Sequence, residues 1–374
     1  MKYAYGLKKV QLDEEFDIYF GYRKKTLSEF YGYGDEFIND YIRLEKNDLE
    51  RQIKNILMNY DIDLIHSHNT PDFLTVAAIN ATENVDVPVI NDIHDLFSIQ
   101  EAKLKRWGSE KVEKIKEDEK FACENSDANI YVTGGIRDIV HQKYVTKAPK
   151  ELTFYNFVPS SIIPFQLKEK LSKRDNQIHI VYEGNLNSKV EDDHYDLREI
   201  FVGIVERGIS LHIYDARNNE DYKDLASKTE RLYYHGHLDP KNLLQELTQY
   251  DFGWAGFNSN KHRKHLDVVF SNKIFEYISS GLPVLSFPHK LQKQFIEKYK
   301  LGFILEDLDE LPEILEDKER VKKVQEKVLE KRHSFTVENN IHKVIDLYRS
   351  LVPEVTVYEK EIIPTEIGDQ LVTK

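Results

Sequence analysis

FSNKIFEYISSGLPVLSF, residues 270–287, is the stretch from which the architecture is read. Ser271 is a good N-cap, and Gly281 followed by Pro283 is a good stop, so the spacing predicts a short helix over 272–280. On a helical wheel Ile274, Phe275, Tyr277 and Ile278 fill one arc, and Asn272, Lys273, Glu276 and Ser280 fill the other. The apolar run 284–287 then predicts a buried parallel strand. The unit is a loop, a helix with an exposed start, a tight turn and a core strand. In open α/β sheets such a helix start receives phosphate, because its free N–H groups and dipole favour anions. Lys273 adds positive charge there, and Glu276, one turn on, can accept hydrogen bonds from a sugar diol. The plainer alternative is an amphipathic surface helix whose Lys273–Glu276 pair is worth roughly a few tenths of a kcal/mol.

Outward from that unit, strand alternates with helix. Apolar strands with polar ends are predicted in IDLIHSHN (62–69), VPVINDIHDLF (87–97) and SDANIYVT (126–133), and the polar ends carry His66, His68, Asn69, His94 and Asp95. Such ends lie where α/β sheets bind ligands. A linker is expected near 159–173, where prolines interrupt the periodicity. IHIVYEGNL (178–186) then opens a second set of strands, followed by LHIYDA, LYYHGHL and YDFGWAGF. Helices are expected over 40–60, from Leu74 onward, over 242–248, over 318–331 and within 333–348. Alternation at this length predicts a doubly wound α/β protein with parallel sheets. The first forty residues are the least legible; only 16–20 reads as a strand.

Composition narrows the classes. A chain of 374 residues favours two cores over one. A content of 40% hydrophobic and 31% charged residues fits a globular protein, and no apolar run approaches a membrane span. The start MKYAYGLKKV lacks the apolar core of a signal peptide, and the single cysteine, Cys123, fits a reducing compartment, so a cytoplasmic location is expected. A net charge of −13 argues against broad nucleic-acid binding.

SNKIFEYISSGLPVL resembles the nucleotide-sugar motif of GT-B glycosyltransferases, especially glycosyltransferase family 4. The resemblance implies two Rossmann-like domains with an interdomain cleft: an acceptor-side domain over 1–165 with an atypical or missing first strand, a nucleotide-sugar domain over 174–335, a final helix over 336–351 crossing back, and a tail over 352–374. It implies that Glu276 holds the donor's ribose and that Ser271, Asn272 and Lys273 face its diphosphate. PVINDIHD is similar to the strand whose terminal histidine reaches the transferred sugar, so His94, with Asp95 beside it, is the candidate catalytic pair. Asn156 fits the strand end that leads into the linker, and His237 sits in the loop that flanks the nucleobase. Two departures stand out. The family's Gly-Arg followed by Lys is here Gly184, Asn185 and Lys189; its Glu separated from Glu276 by a gap of seven residues is here Val268, next to Asp267. The basic run 261–265 is a candidate to compensate, against the alternative of a solvated loop.

The implied activity is transfer of a sugar from a nucleoside-diphosphate donor to a hydroxyl acceptor, retaining the anomeric configuration, with no metal and no cofactor. The acceptor is a glycan, a lipid-linked or a small-molecule hydroxyl, with His66, His68 and Asn69 as acceptor-side candidates. Competing readings are a nucleotide-sugar-binding protein without turnover, and a nucleotide-sugar epimerase of the same fold. Asp63 and Asp61 mimic a metal-holding pair but stand at the beginning of a strand, away from the ligand edge. A His-x-His on a strand is weak evidence for metal. Trp107 with Lys103, Lys105 and Arg106 offers a weak membrane-surface contact, against the simpler alternative of a charged exposed helix.

Overall fold

A computed structural model describes residues 2–9, 16–31, 34–69, 72–100, 104, 107–146, 148, 150–189, 193–258 and 263–352. Three parallel sheets organise them. β1 (Tyr19–Tyr22) and β2 (Asp40–Arg43) form a small pair. β3 (Ile65–His68), β4 (Val89–Ile93), β5 (Ala128–Tyr131) and β6 (Lys150–Thr153) form the first main sheet, in chain order. The second has the order β12-β11-β10-β7-β8-β9, from β7 (His179–Gly184), β8 (Ser210–Asp215), β9 (Leu232–Gly236), β10 (Phe252–Trp254), β11 (Val284–Ser286) and β12 (Gly302–Ile304). Every residue of β4, β5 and β8 is buried, as expected where helices cover both faces of a parallel sheet. In the second sheet the chain winds outward from β7 in one direction and resumes at β10 in the other. The crevice between the ends of β7 and β10 is therefore a topological switch point, the usual place for a ligand.

Several expectations over the first sixty residues need correction. The span 40–60 is not one helix: Asp40–Arg43 is a strand and only Leu49–Asn59 is helical. The early strand is Tyr19–Tyr22, shifted from 16–20, and a helix occupies Lys2–Lys9. That helix buries Tyr3, Tyr5 and Leu7 in one cluster with Ile90 and Ile130 of the first sheet and with Val344, Ile345 and Leu347 of the last helix, His342–Leu351. The stretch 333–341 ahead of that helix is not helical. The tail beyond residue 352, Lys103, Lys105, Arg106, Lys261 and His262 lie outside the described residues. Among the described residues no helix is long and apolar enough to cross a membrane.

The chain passes between the two main sheets twice, and the two passages touch. Val158 of the first pairs with Thr336 of the second, and the Val337 N–H donates to the Val158 carbonyl at 3.1 Å. The buried Arg332 guanidinium donates to the Ser279 carbonyl at 3.2 Å and the Pro164 carbonyl at 2.5 Å. It satisfies carbonyls at the end of one helix while fastening the linker to it.

Candidate functional site

The opening stretch folds into the helix Lys273–Ser279 and then β11. Its N-cap is Asn272, without a side-chain capping bond; the Ser271 hydroxyl is buried and accepts nothing from the helix. The wheel placed Lys273 and Ser280 on a polar arc, yet both are buried. The helix is enclosed on nearly all sides because helices Pro240–Leu247 and Lys318–Lys331 pack on it with β10 and β11, while the end of β7 meets Tyr277 and Lys273. Tyr277 ties these parts together: its hydroxyl accepts from the Glu183 N–H at 3.1 Å and donates to the Trp254 carbonyl at 3.0 Å.

Lys273 is the centre of the cluster at the expected donor site. Its side chain is 7% exposed, and its ammonium lies 5.1, 5.6 and 5.5 Å from the ring centroids of Tyr182, Tyr195 and Phe257. Such cation–π contacts contribute about 0.5–2 kcal/mol each when desolvated. Burial lowers its pKa, opposed by the charges of Glu183 and Glu276. Gly184 makes room for the lysine stem: a Cβ there would meet Lys273 Cε at 2.9 Å, and its φ of +121° is one that side chains rarely adopt. Glu183 is buried beside it, with Oε1 lacking any hydrogen-bond partner. Burial pushes the Glu183 carboxyl well above the usual range, aided by repulsion from and hydrogen bonding to Glu276. A Glu183 pushed towards its neutral form, a half-buried Glu276 and an enclosed ammonium thus meet at the switch point. Glu183 went unassigned in the sequence, although it ends an apolar strand one residue before a glycine.

The remaining donor-side candidates are more exposed. Asn185 is exposed and its carbonyl accepts from the Tyr182 hydroxyl at 2.5 Å; Lys189 is exposed. His237 is exposed beyond β9. Asn272 is exposed, and its Oδ1 accepts from Asn156 Nδ2 of the first half at 3.1 Å. The position of the expected second Glu has another task here. The Val268 carbonyl accepts the Thr133 hydroxyl at 2.7 Å, so this loop docks the two halves together.

Across the cleft, three histidines surround one carboxylate. Asp92 is fully buried in β4, and its Oδ2 lies 2.8 Å from His94 Nε2, 2.8 Å from His68 Nδ1 and 3.6 Å from His66 Nε2. Burial by itself would raise the Asp92 pKa, but the charge of His94 and the imidazole hydrogen bonds outweigh it and hold the carboxylate well below its usual range. The parallel register places His68 opposite Asp92. Asn69 is buried and clasps the next turn: its Oδ1 accepts from the His94 N–H at 2.8 Å and its Nδ2 donates to the Asp95 carbonyl at 2.7 Å. Asp95 faces the second half, where its charge helps burial raise the Tyr195 hydroxyl to about 12. Asp92 was not singled out from the sequence; its alternation with His94 on one strand face was the available signal.

Residues 37–161 match the family model described as Glycosyltransferase Family 4, and residues 196–342 match that of the Glucosyltransferase 3-like C-terminal domain. No curated protein sequence matches the chain. Among solved structures, a glycosyltransferase from Rickettsia africae is 13% identical with a TM-score of 0.66, over 90% of this chain and 91% of that one. Sucrose-phosphate synthase from Thermosynechococcus elongatus is 15% identical with a TM-score of 0.61, over 83% of each chain. Anabaena HepE, solved in complex with UDP-glucose, is 14% identical with a TM-score of 0.62, over 88% of this chain and 99% of that one. At these identities the structures establish the fold, and the two family models account for its two halves. The chain as a whole therefore has the GT-B fold, and each of its two halves matches a glycosyltransferase family model.

Proposed function

We propose that this chain transfers a sugar from a nucleoside diphosphate to a hydroxyl acceptor with retention of anomeric configuration. The observation that carries the reading is Lys273: an ammonium enclosed by three aromatic rings, with no hydrogen bond or ion pair of its own among the described residues, at the switch point and one helical turn from Glu276. A buried cation that makes no ion pair is expensive, and although Glu183 and Glu276 act on its charge from nearby, a diphosphate supplies a directly paired anion. Glu276 accepts hydrogen bonds from the ribose hydroxyls. Lys273 and the first-turn N–H groups meet the charge that develops on the departing diphosphate, so no metal is required at the phosphates. The HepE complex with UDP-glucose makes UDP the first nucleotide to try.

In the transfer, the bond between the anomeric carbon and the β-phosphate oxygen breaks. The acceptor oxygen bonds to that carbon on the same face, and the acceptor's proton passes to the departing phosphate. His94 gives its Nε2 to Asp92, which leaves Nδ1 as the nitrogen to hydrogen-bond a sugar hydroxyl. The acceptor is a glycan, a lipid-linked or a small-molecule hydroxyl; nucleic acid has no part in the reading.

A thermal-shift panel of UDP, GDP, ADP and CMP with their sugars tests the donor site, since a ligand at 100 times its Kd stabilises by about 2.7 kcal/mol. Glu276→Ala should weaken the bound nucleotide by about 10- to 100-fold, from loss of one charge-assisted hydrogen bond. An unchanged shift would place the ribose elsewhere. His94→Ala should spare nucleotide affinity and lower transfer by about 100-fold or more. Binding without transfer to any acceptor would instead make this a nucleotide-sugar-binding protein, and release of an epimerised sugar without acceptor would make it an epimerase.

A further inference from the structure

We infer that His66, His68 and Asp92 form a binding site for a divalent transition cation of the zinc class, on the acceptor side of the cleft. The donor atoms are His66 Nε2, His68 Nδ1 and the Asp92 carboxylate, all within 4.8 Å of one another. Around a cation with bonds of about 2.0–2.2 Å, ligand atoms at right-angled to tetrahedral openings lie about 2.9–3.4 Å apart. The separations from Asp92 Oδ2, 2.8 Å to His68 Nδ1 and 3.6 Å to His66 Nε2, bracket that range.

Hydrogen bonding alone leaves this cluster badly served. One carboxylate oxygen faces three imidazole nitrogens, while its twin, Asp92 Oδ1, is buried without a partner. His66 Nε2 is also buried without a partner, and its other nitrogen is already taken by the Tyr348 hydroxyl at 2.5 Å. Orphaned buried groups of this kind cost about 1–3 kcal/mol each. A cation bound between His66 Nε2 and the carboxylate satisfies both at once. Lys2 Nζ is close enough for its charge to act on Asp92, but its hydrogen bonds go elsewhere: to the carbonyls of Phe154 and Tyr155, both at 3.3 Å, and to Asn156 Oδ1 at 2.8 Å.

The surroundings are those of an oriented metal site. Tyr348 fixes the His66 ring, as the outer partners of metal-bound histidines do. The rings of His66 and His68 stack at 4.8 Å and 12°, being two apart on β3 and so on one face, and Tyr3 lies over both at 4.5 and 5.5 Å. His94 keeps its hydrogen bond to Asp92 Oδ2 as the carboxylate's outer partner. The His68 side chain is 46% exposed and provides the way in, and three protein ligands leave a position open for a water or an acceptor hydroxyl. Imidazole and carboxylate ligands favour zinc over magnesium or calcium.

The test uses the full chain, purified without an immobilised-metal step and with no tag. Titration calorimetry with ZnCl₂ should show one equivalent bound, and CoCl₂ should give the intense visible bands of a four- or five-coordinate ion. His66→Ala and Asp92→Asn should each weaken zinc by 100-fold or more, and Tyr348→Phe by about 10- to 100-fold. His68→Gln, at a half-exposed position, serves where the buried variants fail to fold. His179→Ala, in a separate histidine cluster, should leave zinc affinity unchanged. Absence of stoichiometric zinc, or zinc affinity indifferent to His66, His68 and Asp92, overturns the site. UDP affinity measured with and without a chelator should not differ, so failure here leaves the donor reading standing.

Discussion

Glu183 shows how much a single carboxyl can depend on its neighbours. Enclosed next to Glu276, it keeps its proton at pH values where the unfolded chain loses it. The folded state thus binds more protons than the unfolded one above the ordinary glutamate pKa of about 4.5, and stability falls as pH rises from there towards the elevated folded value. Glu183→Gln removes that slope. Its Tm should exceed the wild-type value by a few degrees at pH 8 and match it near pH 4, and equal slopes for the two proteins would mean that Glu183 is ionised and paired with Lys273. At this scale the sequence was half legible. Glu276 and His94 stood out because each occupies a patterned place in its own segment. The burial of Lys273 did not, because its cage is made by Tyr182, Tyr195 and Phe257, which are far from it along the chain. Asp92 was hidden for the same reason: the strand register that brings it to His68 is not written in either segment alone.

Among the elements, β7, β8 and β9 carry a row of side chains joined edge to edge. His179 Nε2 meets Asp175 at 3.1 Å, His179 Nδ1 meets His212 Nε2 at 2.9 Å, and His212 Nδ1 meets His235 Nε2 at 2.9 Å. Neutral imidazoles protonated at Nε2 satisfy every link. Burial, followed by the charges of His235 and His179, lowers His212 to about 3. Below the unfolded value of 6.5 the unfolded chain therefore takes up a proton that the fold refuses, and stability should drop as pH falls from about 6.5 towards 3. Each pKa unit is worth about 1.4 kcal/mol. Urea unfolding at pH 7 and pH 5 should show a wild-type loss more than 1 kcal/mol greater than that of His212→Gln; equal losses would assign the acid sensitivity elsewhere. Most strands of both main sheets were readable because apolar runs buried on both faces have little competing explanation, whereas β12, only three residues long, was not. The span 40–60 was misread because Tyr41 and Ile42 pair with the distant Phe20 and Gly21, a long-range contact that helical spacing cannot register.

For the whole molecule, the touching surfaces of the two halves are small and specific. Gly135 packs against Val268, and a Cβ there would lie 2.9 Å from the Val268 Cα and 2.9 Å from the Leu291 side chain. Gly135→Leu should wedge the halves apart. The expected outcome is a larger radius of gyration by X-ray scattering, transfer reduced by about 10-fold or more, and a UDP Kd within about threefold of wild type, because the proposed donor contacts reside in one half. Equal radii with unchanged transfer would show that this contact does not set the cleft. The alternation of strand and helix made the doubly wound plan legible, whereas the docking loop at Val268 was not, since it contributes a backbone carbonyl and any residue type supplies one.

The paired passages at Val158 and Thr336 restrict how the halves can travel. Two cords sewn together at one point permit nodding but resist spinning and sideways drift. Admission of the donor and admission of the acceptor then lie along one shared coordinate. In the proposed transfer, both guests would then enter and leave through a single opening motion of the halves.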